Sequence, residues 1–148
     1  MDFPSFQAKF LHRIIKGNKT SEHEELHILK PGVSWSPNGK KIVFAAKSGS
    51  ADALFIFNTQ GKKQSMKISF EKNKNYHLEG ISRPVWNPKN NMIAFIGNNG
   101  VASDVYLYNI DNNSLINITN DWYSDVQVSW HPNGKDLLLI SNRGNNLE

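Results

Sequence analysis

Three segments of the chain repeat one pattern of strand, turn and strand. Each begins with a short stretch that ends in tryptophan, at positions 35, 86 and 130, so the repeats are 51 and 44 residues apart. A proline follows two positions after each tryptophan, and Asn-Gly or Asn-Asn comes next. Proline ends a strand because it has no N–H for the ladder, and Asn and Gly tolerate the backbone of a tight hairpin turn. The pattern predicts a β-hairpin in each copy.

The segment after each turn is apolar at nearly every position, as in Ile42–Phe44, Met92–Phe95 and Leu137–Ile140. Such a run is typical of a strand buried on both faces. Two copies continue with a third strand (52–58 and 104–111) and a fourth (65–70 and 114–119). Four strands in a period of 40–50 residues indicate the blade of a β-propeller.

We therefore predict an all-β fold, a partial β-propeller of repeated four-stranded antiparallel blades. The blades occupy about 33–70 and 84–119, and an incomplete one occupies 128–148, so that the chain is expected to be a fragment of a propeller. Residues 1–32 form an N-terminal segment, expected to contribute outer strands of a preceding blade. Residues 78–82 and 121–125 are interpreted as connectors between blades.

The repeats resemble those of TolB-like (WD40-like) β-propellers. Ser34–Phe44 is similar to the blade signature of that family, and Ile118–Asp121 is similar to its Leu-Thr-Asn ending of the fourth strand. Ser141–Asn145 resembles its Ser-Asp-Arg-Gly-Asn loop, with Asn142 where aspartate is usual. The resemblance implies a scaffold, gate or binding platform, and a periplasmic or otherwise extracytoplasmic location.

The amino-acid composition excludes several classes of structure and function. The absence of cysteine excludes a disulfide scaffold and a thiol nucleophile, and no apolar run reaches the 18 residues of a membrane span. Residues 1–74 carry 13 Lys/Arg against 6 Asp/Glu, whereas residues 75–148 carry 4 against 7. No dense basic run is interleaved with stacking aromatics, so we predict no nucleic-acid partner.

One motif would place chemistry inside the chain. His23-Glu24-Glu25-Leu26-His27 matches H-E-x-x-H, in which two histidines bind zinc and the glutamate activates water. Pro31-Gly32 leaves little room for the helix that the motif needs, charged residues flank it, and the third ligand of metzincins is missing. We interpret it as a polar turn, and we predict no catalytic, cofactor-binding or metal-binding residues and no cofactor.

Other candidates are given structural roles. No Gly-x-Ser-x-Gly elbow or phosphate-binding glycine loop occurs. His131 is interpreted as a turn residue, and the three repeated tryptophans as packing between neighbouring sheets rather than as a carbohydrate site.

Two functions remain open. The first is a non-catalytic propeller module that binds a protein or another ligand, or packs against the rest of its own polypeptide, within a larger cell-envelope protein. The alternative is the propeller segment of a prolyl-oligopeptidase-like or metallopeptidase-associated hydrolase whose catalytic residues lie outside this chain. Uncovered apolar sheet faces would also make the isolated chain self-associate.

Overall fold

The computed structural model describes residues 29–60, 65–71 and 73–144, and every regular element among them is a β-strand. The H-E-x-x-H motif and most of the N-terminal segment 1–32 lie outside the described residues, so both interpretations stay predictions. The ten strands are β1 (Leu29–Trp35), β2 (Lys41–Ser48), β3 (Ala51–Asn58), β4 (Ser65–Ser69), β5 (Gly80–Trp86), β6 (Met92–Asn98), β7 (Ser103–Asn109), β8 (Ser114–Asn117), β9 (Asp125–Trp130) and β10 (Leu137–Ser141).

The strands form three antiparallel sheets in chain order. The first sheet is β1-β2-β3-β4, the second is β5-β6-β7-β8, and the third contains β9 and β10. The first hairpin of each sheet has the same register, because Trp35 pairs with Ile42, Trp86 with Ile93 and Trp130 with Leu137. The identical strand order of the first two sheets confirms the prediction of an all-β partial propeller with repeated blades.

The residue after each tryptophan holds the hairpin turn. Ser36 Oγ accepts a hydrogen bond from the Lys41 N–H (2.9 Å), and Asn87 Oδ1 accepts one from the Lys89 N–H (2.8 Å). His131 Nδ1 accepts one from the Asn133 N–H (3.1 Å). Short polar side chains cap turns in this way by replacing a backbone acceptor. The contact gives His131 a structural partner in its turn.

Two apolar cores lie between the sheets. The core between the first and second sheets contains buried aliphatic side chains of β2, β3 and β4 and aromatic rings of β6 and β7. Phe95 and Tyr106 stack with centroids 5.7 Å apart, and Phe70 meets Tyr108 edge to face at 5.5 Å. The core between the second and third sheets is aliphatic apart from Trp130. Each blade is therefore stabilised mainly by its neighbours, as in other repeat architectures.

The first strand of each sheet (β1, β5 and β9) contains a β-bulge that the sequence does not predict. The pairing register shifts between Leu29 and Val33 in β1 and between Ser82 and Val85 in β5, and β9 has an extra residue near Val126. Gly32 (φ 107°) and Arg83 (φ 52°) adopt left-handed backbone at the first two bulges. A bulge bends a strand and increases its twist.

Two interpretations from the sequence are corrected in detail. β5 begins at Gly80, so Ile81 and Ser82 belong to a strand and not to the connector, because their backbone pairs with Ile96 and Gly97 of β6. Trp86 is buried and Trp130 half-buried between sheets, but Trp35 is 54% exposed. Trp35 points to the side of the first sheet that faces away from the second.

Candidate binding face at the blade connectors

The connectors between blades lie at one end of the strands. Antiparallel strands alternate in direction, so the loops β2–β3 and β6–β7 lie at the same end as the connectors β4–β5 and β8–β9. We call this end of the sheets the connector face. The tight hairpin turns that contain the Trp-x-Pro motifs lie at the opposite end.

A polar cleft opens on the connector face between the first and second sheets. Its volume is about 350 Å³. The lining combines both charges with hydroxyl and amide groups, from Lys47, Asp52, Glu79, Ser82, Asn98 and Ser103. Lys47 and Glu79 are exposed, so this cleft offers solvated charges of both signs to a ligand.

A buried aspartate at the start of the third strand of each complete blade has a structural function. Asp52 Oδ2 accepts a hydrogen bond from the Ile81 N–H (3.0 Å), which joins the first sheet to β5 of the second. Asp104 accepts hydrogen bonds from the Asn117 side-chain amide (2.8 Å) and from the Thr119 hydroxyl (3.3 Å). Buried carboxylates need such partners to offset the cost of desolvation.

The threonine of the Leu-Thr-Asn-like ending completes this arrangement. Thr119 Oγ1 accepts a hydrogen bond from the Val105 N–H (3.0 Å), so that it continues the β7–β8 ladder with a side chain. Asn117 also donates to the hydroxyl of Tyr106 (3.2 Å). Burial, together with the neighbouring charge of Asp104, raises the pKa of Tyr106 to about 12. These polar residues are therefore engaged in hydrogen bonds that stabilise the blades.

The second connector presents an aromatic pair to solvent. Trp122 is 89% exposed, and Tyr123 beside it is also exposed. Exposed tryptophan and tyrosine at a single place are typical of interaction surfaces, because both carry a large apolar area and a polar group. The aromatic pair lies outside the repeated motifs, and its chain position in a blade connector is the only signal that sequence reasoning could have used.

A charged network holds this connector in place. Arg143 contacts Asp121 through Nη2 (2.6 Å) and Nε (2.9 Å), and its Nη2 lies 3.4 Å from both carboxylate oxygens of buried Asp125. The Tyr123 N–H donates to Asp121 Oδ1 (2.9 Å). The connector is thus fixed on both sides of Trp122, so it would lose little conformational entropy when a partner binds.

Asn142 shows why asparagine can replace the usual aspartate of this loop. Its Oδ1 accepts a hydrogen bond from the Ser124 N–H (2.7 Å), and its own N–H donates to the Ser124 carbonyl (3.1 Å). An amide oxygen can accept the first bond as a carboxylate oxygen can. The loop therefore keeps its contact to the connector.

The predicted absence of catalytic and metal-binding residues stays a prediction. Within the part of the chain that the structure describes, no three His, Asp or Glu side chains are grouped as metal ligands would be. No described helix is long and apolar enough to cross a bilayer.

The chain has relatives in sequence and in structure. The family model described as eukaryotic translation initiation factor eIF2A matches residues 6–142. No curated protein matches the sequence. The putative TolB from Agrobacterium tumefaciens has a TM-score of 0.62 at 15% identity, over 81% of this chain and 40% of that one. TolB from Acinetobacter baumannii has a TM-score of 0.61 at 18% identity, over 80% of this chain and 28% of that one.

The chain spans less than half the length of either TolB structure. At these identities the likeness shows the fold, and it confirms the TolB-like propeller that the repeats predict. The family match covers nearly the whole sequence, and the chain belongs to the eIF2A family.

Proposed function

We propose that this chain is a non-catalytic propeller module that binds a protein partner through its connector face. The observation that carries the proposal is the exposed Trp122–Tyr123 pair on a connector braced by Arg143. Three buried or half-buried polar residues are consistent with a non-catalytic role, because Asp52, Asp104 and Thr119 are already used in hydrogen bonds within and between blades.

The cleft beside β5 extends the proposed surface. Lys47 and Glu79 supply opposite charges at its rim, and charges placed at a rim affect the association rate and the choice of partner more than the affinity. The aromatic pair would supply the affinity, since hot spots are enriched in tryptophan and tyrosine.

The cellular location of the module and the larger protein that contains it are a separate part of the proposal. The family description names a translation initiation factor, whereas the TolB likeness concerns the fold. A cell-envelope scaffold, with an extracytoplasmic location, stays a prediction. The hydrolase alternative also stays a prediction, and it would place the reacting groups outside this chain.

The experiment combines site-specific crosslinking with reconstituted binding. A photo-crosslinking residue is placed at position 122 or, as a control, at position 133, which lies in a hairpin turn at the opposite end of the strands. The residue at position 122 should capture one protein that the residue at position 133 does not capture. With that protein purified, Trp122→Ala should weaken binding by about tenfold or more, a loss of about 1.4 kcal/mol.

Leu138→Ala is the matched control, because Leu138 is similarly exposed but lies away from the connector face. Equal loss of binding in both variants, or capture only from position 133, would contradict the proposal. Hydrolysis of peptide or ester substrates by the purified chain, abolished by Glu24→Gln, would instead show that the chain is an enzyme.

A further inference from the structure

Two hairpin turns contain the same four residues, Pro-Asn-Gly-Lys: the first-sheet turn at 37–40 and the third-sheet turn at 132–135. An asparagine that precedes glycine can lose its amide without an enzyme, because glycine has no Cβ to shield its backbone nitrogen from the asparagine side chain. The four residues are identical, so a difference in reactivity between Asn38 and Asn133 comes from what surrounds the turns.

The reaction needs water and no other reagent. The glycine nitrogen loses its proton and attacks Cγ of the asparagine, and the side-chain amide leaves as ammonia, so that a cyclic succinimide forms. Water then adds to one of the two ring carbonyls and opens the ring. Opening at one carbonyl gives aspartate, and opening at the other gives isoaspartate, in which the backbone passes through Cβ and Cγ.

Each turn holds the attacking nitrogen in a backbone hydrogen bond. The Gly39 N–H donates to the Ser36 carbonyl (2.9 Å). In the same way, the Gly134 N–H donates to the His131 carbonyl (2.9 Å). The nitrogen can attack only after this bond breaks, so the rate depends on how often each turn opens. Local opening is easiest where few contacts from outside hold the backbone.

The third-sheet turn is anchored to the second sheet. The side-chain amide of buried Asn87 donates to the Gly134 carbonyl (2.9 Å). Lys89 lies against Gly134, since a Cβ added there would be 2.7 Å from Lys89 Cγ. The leaving group of Asn133 is also held, because its Nδ2 donates to Asp136 Oδ2 (2.7 Å). These contacts oppose both the opening of the turn and the departure of the amide.

The first-sheet turn lacks such contacts at its Asn-Gly peptide. No described atom lies within 4 Å of a Cβ added at Gly39, and no described group accepts a hydrogen bond from Asn38 Nδ2. Asn38 Oδ1 accepts bonds from the Ser36 hydroxyl (2.9 Å) and the Lys40 N–H (3.0 Å), which belong to the same hairpin. Thr59 bonds to the Lys40 carbonyl, beyond the reacting peptide. Asn38 is therefore held less firmly than Asn133.

The charge next to the two turns also differs. Residue 41 is lysine, whereas the corresponding residue of the third sheet is Asp136, and both are exposed. Positive charge stabilises the deprotonated glycine nitrogen that attacks, and negative charge opposes its formation. Charge and anchoring therefore both favour reaction at Asn38.

A third Asn-Gly sequence, Asn99-Gly100, lies in the loop between β6 and β7. The Glu79 side chain lies against Gly100, since a Cβ added there would be 2.9 Å from Glu79 Oε1. This carboxylate opposes formation of the anionic nitrogen. We therefore expect Asn99 to react more slowly than Asn38.

We propose that Asn38 is a site of non-enzymatic modification, at which the folded chain forms aspartate and isoaspartate faster than at Asn133 or Asn99. Isoaspartate lengthens the backbone of the turn by one carbon, and this turn sets the register in which Trp35 pairs with Ile42. The modification therefore disturbs the first hairpin. It does not depend on the proposed function, because the hairpin turns lie at the opposite end of the strands from the connector face.

The test follows the reaction in the full 148-residue chain at mildly alkaline pH. Mass spectrometry of proteolytic peptides measures the fraction of acid at each asparagine, and electron-transfer fragmentation separates isoaspartate from aspartate. Acid should form about tenfold or more faster at Asn38 than at Asn133. In guanidinium chloride the two rates should agree within about threefold, because the unfolded chain has lost the contacts that differ.

A pair of variants tests the cause of the difference. Asp136→Ala removes the acceptor of the Asn133 amide and should speed acid formation at Asn133 by about threefold or more. Asp111→Ala is the matched control, because Asp111 is also exposed and also accepts a hydrogen bond from an asparagine amide, that of Asn91 (2.8 Å). It should leave the rates at Asn38 and Asn133 unchanged.

Four results would overturn the proposal. The first is equal rates at Asn38 and Asn133 in the folded chain, and the second is a difference that persists in guanidinium chloride. The third is an acceleration at Asn133 by Asp111→Ala as large as that by Asp136→Ala. The fourth is formation of aspartate without isoaspartate at Asn38, which would indicate direct hydrolysis of the amide instead of attack by the glycine nitrogen.

Discussion

Gly32 lies where β1 of the first sheet closely approaches β5 of the second. Its φ is 107°, and a Cβ added there would lie 2.7 Å from Cα of Arg83, which is itself in left-handed backbone. Residues other than glycine rarely adopt this backbone conformation. A contact of that length to backbone atoms cannot be relieved by a rotamer change. The close packing of β1 on β5 therefore requires glycine at this position.

We expect Gly32→Ala to lower the free energy of unfolding by about 2–4 kcal/mol, since backbone strain and a steric clash add. Gly39→Ala is the matched control: Gly39 also has positive φ (66°), but no atom lies within 4 Å of an added Cβ. It should cost about 1 kcal/mol. Urea denaturation of the two variants measures the difference, and equal losses would mean that the close approach has no energetic cost.

Tyr106 should make the fold sensitive to high pH. Burial raises its pKa from 10.0 to about 12, so the unfolded chain releases this proton at lower pH than the folded one. Stability from this residue is complete below pH 10 and is lost as pH rises from 10 to 12. In urea denaturation between pH 8 and 11.5, Tyr106→Phe should flatten the decline relative to the parent chain. Parallel curves for the two proteins would show that Tyr106 does not contribute to it.

At the level of elements, the repeats predict most of the fold. Each apolar run after a Trp-x-Pro turn is the second strand of its sheet, and in the two complete sheets the third and fourth strands follow at the predicted places. The bulges at Gly32 and Arg83 were not predictable from one sequence, because they depend on how two inner strands meet. The exposure of Trp122 was not predictable for a related reason: it is a property of the folded connector, in which Asp121 bonds to Arg143 and to the Tyr123 N–H.

Arg143 links the third sheet to its connector, and its loss should loosen both. Arg143→Met keeps much of the side-chain volume but leaves the fully buried Asp125 carboxylate without its cation. We expect a loss of about 1–3 kcal/mol, less than for a fully buried pair because Arg143 is one-third exposed. Hydrogen exchange at Tyr123 and Ser124 should become faster.

A second substitution separates charge from packing at this site. Asp125→Asn added to Arg143→Met removes the unpaired charge, so it should recover part of the lost stability. If the double variant is as unstable as the sum of both single variants, the two residues do not interact, and the connector is held by other contacts.

On the scale of the molecule, the sheets differ in how well their faces are covered. The positions of β10 that face away from the second sheet are Leu138 (72% exposed) and Ile140 (53% exposed). The same positions are Val43 and Ala45 in the first sheet and Ala94 and Ile96 in the second, and all four are buried by the sheet that follows. The outer face of the third sheet is therefore apolar, and no described residue covers it.

We expect this face to make the chain self-associate as its concentration rises, because exposed apolar area drives association. Leu138→Lys with Ile140→Lys should keep the chain monomeric at concentrations where the parent forms larger species, since charges on the sheet face oppose close contact. Val101→Lys with Ile116→Lys is the matched control, because both residues are exposed and apolar but lie on the second sheet and its loop. Size-exclusion chromatography with light scattering distinguishes the three proteins. A parent chain that stays monomeric at high concentration, or a control pair as effective as the first, would rule out the third sheet as the source of association.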